Sequence, residues 1–547
     1  MTQQRVFRDD LIPAPCQEAC PAGVDAARYI RLIKQGKFDE ALAVNREKIP
    51  LPLICGYACY SPCEKSCTAK YVHSPIAIRA LKRLAAEKGS DAWRKRLEIA
   101  PDTGKRVAVV GSGPSGLTAA YYLRCLGHAV TVFEAQNQAG GMMRYGIPGY
   151  RLPSEVLDKE IDIIRELGVE IRTGQRVGSA KDLRDEGFDA VYLAPGAQQG
   201  AVMHIPGEDS PGVIDSIAFL RQLNQDKPVA CSGSVLVVGG GNTAMDAARS
   251  ARRLGAEQVT ILYRRGRQEM PADPEEVEAA LEEGVVLESL TAPTSIATAD
   301  GRLRVTCTRM QLGEPDSSGR RRPLPVAGSE YTLEADQLIA AIGQAPDRSQ
   351  SFGVQLDDRE YVNADPEDMH TNLAGVYAGG DIVSGPASII EAIAHGRRAA
   401  SGIDRFLGGS GNIEQALAPP QDEVILEEFI QEKPREPLAC VAPENRTTTF
   451  HPVELCMNVE VAMDESRRCL ECDARRFEVV LYAENCKECS YCAEVCEREV
   501  FAPAQAFNPK GYRPMEVVHM ERCVGCMACY YACPDLSIDI RPLSVPA

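Results

Sequence analysis

The sequence predicts a multidomain α/β chain. A helical unit comes first, two Rossmann-like nucleotide-binding folds occupy the middle, and a small α+β unit ends the chain. Three observations carry this. The length of 547 residues is enough for several domains. A strand–glycine loop–helix–strand pattern occurs twice between residues 106 and 264. Sixteen of the 21 cysteines fall in short-spaced groups at the two ends, with almost none between. The expected boundaries are 1–100, 101–230, 231–337, 338–407 (the second part of the first nucleotide fold), 408–475 (a connector) and 476–547.

Hydrophobic content of 44% and charged content of 25% are ordinary for a globular protein. The net charge of −17 argues against a nucleic-acid partner and against an anionic membrane surface. The opening Met1-Thr2-Gln3-Gln4-Arg5 has no apolar run of the kind an export signal needs. No apolar stretch approaches the ~20 residues of a spanning helix. A reducing compartment, the cytoplasm, is the expected location.

The first 100 residues read as helical. Cys16-x3-Cys20-Pro21 precedes an amphipathic segment, Ala27 to Val44, and Cys55, Cys59, Cys63 and Cys67 follow at four-residue steps. Next, the buried strand Val107 to Val110 runs into Gly111-Ser112-Gly113-Pro114-Ser115-Gly116, then a helix, then a strand ending in Glu134. This is the dinucleotide fingerprint with all its parts in register. Gly111 permits the tight turn, Gly113 lets the backbone approach a pyrophosphate at the helix N-terminus, and Gly116 lets helix and strand pack closely. Glu134 is placed for a ribose hydroxyl.

The second copy runs from Val235 through Gly239-Gly240-Gly241-Asn242-Thr243 to a strand ending at Tyr263, followed by Arg264-Arg265 instead of an acid. Arginines there offer paired donors to the 2′-phosphate of NADP. If both are solvated or paired with Glu269, NAD is the cofactor. Two nucleotide sites in one chain suggest a flavin and a nicotinamide. After the second fold the chain returns with Leu338 to Gln344, through Gly343, and then Gly375 to Asp381. The pair Gly380-Asp381, just before a helix expected from Ala387, would lie near the flavin ribityl and phosphate. Gly141 and Arg151 complete the expected cofactor-binding set. Residues 406–468 read as a connector punctuated by Gly408-Gly409-Ser410-Gly411 and Pro419-Pro420.

The C-terminal unit reads Cys486-x2-Cys489-x2-Cys492-x3-Cys496, then Cys523-x2-Cys526-x2-Cys529-x3-Cys533-Pro534. This doubled spacing is that of bacterial ferredoxins with two [4Fe–4S] clusters. Three thiolates two residues apart wrap one cubane, and the fourth points to the other. The expected sets are Cys486, Cys489, Cys492 and Cys533, and Cys523, Cys526, Cys529 and Cys496. Zinc sites seldom use four cysteines in such a run. A disulfide scaffold does not fit a chain without a secretory signal.

Residues 1–405 resemble the small subunit of NADPH-dependent glutamate synthase. They are also similar to the flavoprotein subunit of NADH-dependent ferredoxin:NADP oxidoreductase and to the electron-entry half of dihydropyrimidine dehydrogenase. The resemblance rests on Gly140 to Pro148, Ile205 to Asp209, Gly239 to Asp246, Tyr263-Arg264-Arg265 with Met270-Pro271-Ala272, and Ala378 to Asp381. It implies FAD in the first fold, NAD(P)H in the second, and two [4Fe–4S] clusters in the helical domain. By position, Cys16 and Cys67 match ligands of one cluster, and Cys20, Cys59 and Cys63 match ligands of the other. The chain departs from the family at two points. The usual Cys-x-x-Cys upstream of Cys16 is missing, and Cys469-Leu470-Glu471-Cys472 before the ferredoxin unit is expected to fold back and replace it. Lys82 stands where a relative has a glutamine ligand, and Cys55 is the spare thiol nearby. Four clusters in all are then expected.

Flavin disulfide reductases carry a redox Cys-x-x-Cys beside the flavin. Here only the scattered Cys125, Cys231 and Cys307 occur between residues 107 and 400. The flavin's electrons therefore need another exit, and the clusters supply it. The expected activity is NAD(P)H:acceptor oxidoreduction, with no obligatory acid–base residue because the cofactor carries the chemistry. The expected partner is a redox enzyme such as a 2-oxoacid:ferredoxin oxidoreductase, or free ferredoxin. The alternatives are a glutamate synthase small subunit, and a non-catalytic iron–sulfur binding or assembly protein with a vestigial flavin site.

Overall fold

The structure, a computed structural model, describes residues 4–542 except 72, 226, 228, 230, 317–318, 348–351, 427–432, 475–476 and 524. The expected boundaries at 230 and at 475/476 fall outside the described residues.

The N-terminal domain is built on helices α1 (Ala26–Lys34), α2 (Phe38–Arg46), α3 (Pro52–Ala58) and α4 (Ile78–Lys88). The Asp25 carboxylate caps α1 by accepting the Arg28 N–H at 3.0 Å. Pro52 opens α3, where its missing N–H costs nothing. Buried residues surround α1 and α4 on nearly all sides, which marks both as interior helices.

The first nucleotide fold contains β1 (Arg106–Val110), α5 (Pro114–Cys125), β2 (Ala129–Phe133), β3 (Glu170–Arg172) and β4 (Ala190–Leu193). The second contains β5 (Val213–Asp215), β6 (Ser234–Val238), α6 (Asn242–Arg253), β7 (Gln258–Tyr263) and β8 (Val286–Ser289). Four antiparallel strands are inserted after β8: β9 (Thr291–Ala299), β10 (Arg302–Pro315), β11 (Arg321–Pro325) and β12 (Tyr331–Ala335). The chain then adds β13 (Gln337–Ala340) and β14 (Val376–Ala378). The first sheet is parallel in the order β14-β4-β1-β2-β3, and the second is parallel in the order β8-β7-β6-β13-β5. Helix α7 (Ile389–Phe406) packs on α5, and a Cβ at Gly396 would meet the Ser115 carbonyl at 2.4 Å.

The expected boundary at 338 is corrected by strand pairing. β13 hydrogen-bonds β6 on one side and β5 on the other, burying Leu338 and Ile339 completely. Both β13 and β5 therefore belong to the second fold, and the ribbon Gln199–Gly200 with Gln344–Ala345 marks the crossing between the two.

The connector lies largely along the N-terminal domain. Glu423–Leu426 pairs antiparallel with Gln4–Phe7. The Arg31 guanidinium holds Asp473 with two bonds of 2.7 and 2.6 Å, and Lys34 holds Glu471 at 2.8 Å. Arg79 holds Glu454 with bonds of 2.9 and 2.6 Å. In the C-terminal unit β15 (Phe477–Leu481) pairs antiparallel with β16 (Ile538–Pro542), and Phe501–Pro503 pairs with Met515–Val517. Lys70–Glu497 and Glu18–Arg498 join this unit to the N-terminal domain. Among the described residues, no helix is long and apolar enough to cross a membrane.

Candidate functional site

A cavity of about 680 Å³ opens where the loops after β1 and β6 face the N-terminal domain. Its wall takes Gly111, Gly113, Pro114, Ser115, Glu134 and Gly141 from the first fold, with Gly380 and Asp381 beside them. Gly241, Asn242, Thr243 and Asp246 come from the second fold. The two loops are built alike. Gly111 (φ +101°) and Gly239 (φ +147°) turn so close to the Ala194 and Ala341 carbonyls that a Cβ would sit 2.2 and 2.1 Å from them. Gly113 and Gly241, at the mouths of α5 and α6, have nothing within 4 Å of a Cβ position. That open space against a helix N-terminus fits a pyrophosphate, once in each fold. Gly116 does not line the cavity. A Cβ there would meet the Gly111 carbonyl at 2.0 Å, so it serves the packing of α5.

Glu134 lines the cavity but is already engaged. It accepts the Ser112 N–H at 3.1 Å and the Ser112 hydroxyl with one oxygen, and the Gln136 N–H at 2.8 Å with the other. The carboxylate thus braces the glycine loop. Burial pushes Asp381 up to about 6, and Gly380 (φ +74°) donates its N–H to His395 at 3.0 Å. Gly343 sits at the crossing ribbon outside the wall, whereas the adjacent Gln344 reaches Thr243 at 3.3 Å.

Arg151 is outside the wall. It donates to Asp246 at 2.8 and 2.9 Å and to Glu276 at 3.0 Å, beside the Tyr60 hydroxyl. It is a strut between the first and second folds. Burial pushes Asp246 up to about 6 despite this pairing. The sequence reading missed Asp246 as a wall residue; its place four residues after Asn242, on the same face of α6, was the available signal. The two arginines after β7 also separate. Arg265 is buried, donating to Asp316 at 2.6 Å and to the Arg321 carbonyl at 2.8 Å. Glu269 pairs with Arg321 rather than with either of them. Arg264 is exposed at the strand end, the position from which a 2′-phosphate can be reached.

The sixteen grouped cysteines gather at four places. Cys486, Cys489, Cys492 and Cys533 line one small cavity, and Cys496, Cys523, Cys526 and Cys529 line a second. Cys16, Cys67, Cys469 and Cys472 line a third, so the connector does carry its pair back to the N-terminal domain. Cys20, Cys55, Cys59 and Cys63 crowd a fourth place, around the Lys82 ammonium.

Backbone strain is stored at these turns. Ser61, Glu471, Ser490 and Met527 are non-glycine residues at φ between +47° and +62°, each lying between two grouped cysteines. The C-terminal pattern is doubled with a fixed offset: Glu488, Ser490 and Glu499 in the first run match Gly525, Met527 and Leu536 in the second, all at positive φ. A left-handed turn costs an ordinary residue about 1–2 kcal/mol. Here it aims successive sulfurs at one point, as a cubane requires. Burial, then the neighbouring sulfurs, pushes Cys529 up to about 12 and Cys16 well above the usual thiol range. Thiols so placed become thiolates when a metal centre takes up their charge. The donor sets therefore fit [4Fe–4S] clusters.

The groups are also contiguous. Ala19, Pro21, Ala58, Tyr60 and Pro62, the sequence neighbours of Cys20, Cys59 and Cys63, form one wall of the large cavity. The Cys20 and Cys16 groups share one hydrophobic core, Cys526 of the C-terminal unit packs against that core, and the two C-terminal groups share a second core.

Two parallel-sheet nucleotide folds sharing one cavity, with cysteine-rich domains at both ends, define a flavin- and iron–sulfur-dependent pyridine-nucleotide oxidoreductase. Three family models match in agreement: pyridine nucleotide-disulphide oxidoreductase over residues 94–396, the 4Fe-4S domain II of dihydropyrimidine dehydrogenase over 12–93, and a 4Fe-4S dicluster domain over 485–535. The chain belongs to the pyridine nucleotide-disulphide oxidoreductase family, in the branch of the glutamate synthase small chain. It is 39% identical to the beta subunit of NADP(+)-dependent formate dehydrogenase from Moorella thermoacetica, over 84% of this chain and 71% of that one. It is 38% identical to the beta subunit of NADPH-Fe(3+) oxidoreductase from Geobacter sulfurreducens, over 85% and 75%. It is 35% identical to the small chain of NADPH glutamate synthase from Escherichia coli, over 72% and 88%. The chain is thus an NAD(P)H-dependent oxidoreductase subunit that transfers electrons through FAD and iron–sulfur domains.

Proposed function

We propose that this chain oxidises NADPH and delivers the electrons through four [4Fe–4S] clusters to a partner subunit. The contiguity of four cysteine groups, from the cavity wall to the far side of the C-terminal unit, carries this reading. Bound FAD would take a hydride from the nicotinamide and release its two electrons one at a time. The protein's part is to orient and insulate. Gly113 and Gly241 leave room for two pyrophosphates, and Asp381, on the same cavity wall, would stand near the flavin phosphate. Arg264 supplies donors to the 2′-phosphate, and its buried neighbour Arg265 fixes the turn. Tyr60 and Pro62 close the wall between the cavity and the Cys20/Cys55/Cys59/Cys63 group, which is first in line. The Cys16/Cys67/Cys469/Cys472 group is second. The Cys496/Cys523/Cys526/Cys529 group is third, and Cys486/Cys489/Cys492/Cys533 is last and outermost.

The partner we infer is a cytoplasmic redox enzyme that exchanges low-potential electrons, such as a 2-oxoacid:ferredoxin oxidoreductase, a formate dehydrogenase-type catalytic subunit or ferredoxin. A second reading, the small subunit of a glutamate synthase, is favoured by the likeness to the Escherichia coli chain; co-purification with a large amidotransferase subunit would select it. The test of the main reading is anaerobic reduction by NADPH and by NADH, followed by flavin absorbance, cluster EPR and iron content. The expected result is bleaching by NADPH, cluster signals and about sixteen irons per chain. Arg264→Ala is expected to raise the KM for NADPH about tenfold with kcat unchanged and to leave NADH oxidation as it was. About twelve irons, or an NADH preference in the unaltered chain, overturns the corresponding element.

A further inference from the structure

Helix α4 carries three cations in one turn and a half, and they are treated differently. Arg79 is paired with Glu454 at 2.6 Å, and Arg83 with Glu87 at 2.7 Å. Lys82, between them, is 3% exposed, and among the described residues no carboxylate pairs with it. The titratable groups nearest it are the thiols of Cys59, Cys55, Cys63 and Cys20, all four buried in the core to which its neighbours Leu81 and Leu84 belong. Close helix packing forces this. A Cβ on Gly56 would meet the Arg83 Cα at 2.7 Å, so α3 and α4 touch at the residues adjoining Cys55 and Lys82. Ile54, Leu81 and Leu84 are fully buried around them and keep water out. Of the nearby carboxylates, Glu64 pairs with Arg435 at 2.6 Å, and Glu160 pairs with Arg46 at 2.8 Å through one oxygen. An ammonium this deep is costly unless an anion compensates it.

We propose that Lys82 is the fixed counter-ion of the first cluster and raises its reduction potential above that of an otherwise identical site, with Cys55 as the fourth ligand. The proposal rests on the reading that these four cysteines hold a cluster. The step concerned moves one electron, supplied by NADPH through the flavin or by a chemical reductant, into the cluster. No bond is made or broken, and the negative charge of the reduced site increases by one. A buried positive charge alongside favours that state, the more so where no water screens it. The first acceptor is thereby poised to draw electrons out of the cavity.

The test is a potentiometric titration of the full-length holoprotein, read by EPR, for the unaltered chain and for Lys82→Met and Lys82→Arg. In Lys82→Met the first cluster is expected to move to lower potential by at least a tenfold change in its reduced-to-oxidised ratio, about 59 mV for one electron. The other three should stay in place with iron content unchanged, and Lys82→Arg should restore the original value. An unmoved potential in Lys82→Met with all four clusters present overturns the counter-ion role. Cys55→Ser should lose the first cluster; retention of that cluster overturns the ligand assignment. Absence of the cluster from the unaltered chain instead overturns the underlying reading, and the two failures are distinct.

Discussion

The two cysteine-rich ends of the molecule reach similar geometry by opposite routes. In the C-terminal unit all eight grouped cysteines lie between Cys486 and Cys533, and a doubled local turn pattern aims them. Their core is small, and Tyr531, Leu536 and Phe507 are largely exposed around it. In the N-terminal domain one group draws on Cys16, Cys67, Cys469 and Cys472, which meet only because a long connector returns across the domain. That group belongs to the largest core of the protein. Local spacing suffices for the cysteine sets of the small C-terminal core, whereas the inner set is assembled by tertiary packing.

The strongest way to break this contrast is Cys469→Ser. Removing a ligand at the second relay point should leave NADPH bleaching of the flavin intact while the C-terminal cluster signals disappear under NADPH but persist under dithionite. If those signals still develop with NADPH at the original rate, the inner group is not on the path. Next in size is Asp473→Asn. It strands the buried Arg31 guanidinium, so a loss of roughly 3–5 kcal/mol is expected. Chemical denaturation should show this as an earlier transition accompanied by loss of iron from the Cys16 group before any other. Coincident loss from all sites would mean that the connector does not stabilise its cluster separately. The smallest effect is expected at the seam between the ends. Lys70→Ala removes an ion pair with the largely exposed Glu497, worth under about 1 kcal/mol. Its unfolding midpoint should barely move, and raising the ionic strength should produce little further change.

Within the nucleotide folds the same division between local and non-local information recurs. The fingerprint Gly111, Gly113 and Gly116 and its second copy were legible because the glycines stand at fixed short spacing between a strand and a helix. The roles of Arg151 and Arg265 were not, because ion-pair partners as distant as Asp246 and Asp316 decide which donors remain available to a ligand. Strand membership behaved likewise. Leu338 to Ala340 read as a buried strand, but nothing in its apolar composition says which of two parallel sheets will accept it; pairing with β5 and β6 decides that.

The sequence by itself determined the domain series, both glycine loops and the C-terminal cysteine sets, because each depends on turns and spacings within a few tens of residues. Tertiary structure brought about the closure of the Cys16 group by Cys469 and Cys472, which the family resemblance had led one to expect, and decided two further things: the burial of Lys82 beside the Cys20 group and the contiguity of the groups from the cavity outward. All three depend on which surfaces pack together, and packing brings together residues that are hundreds of positions apart in the chain.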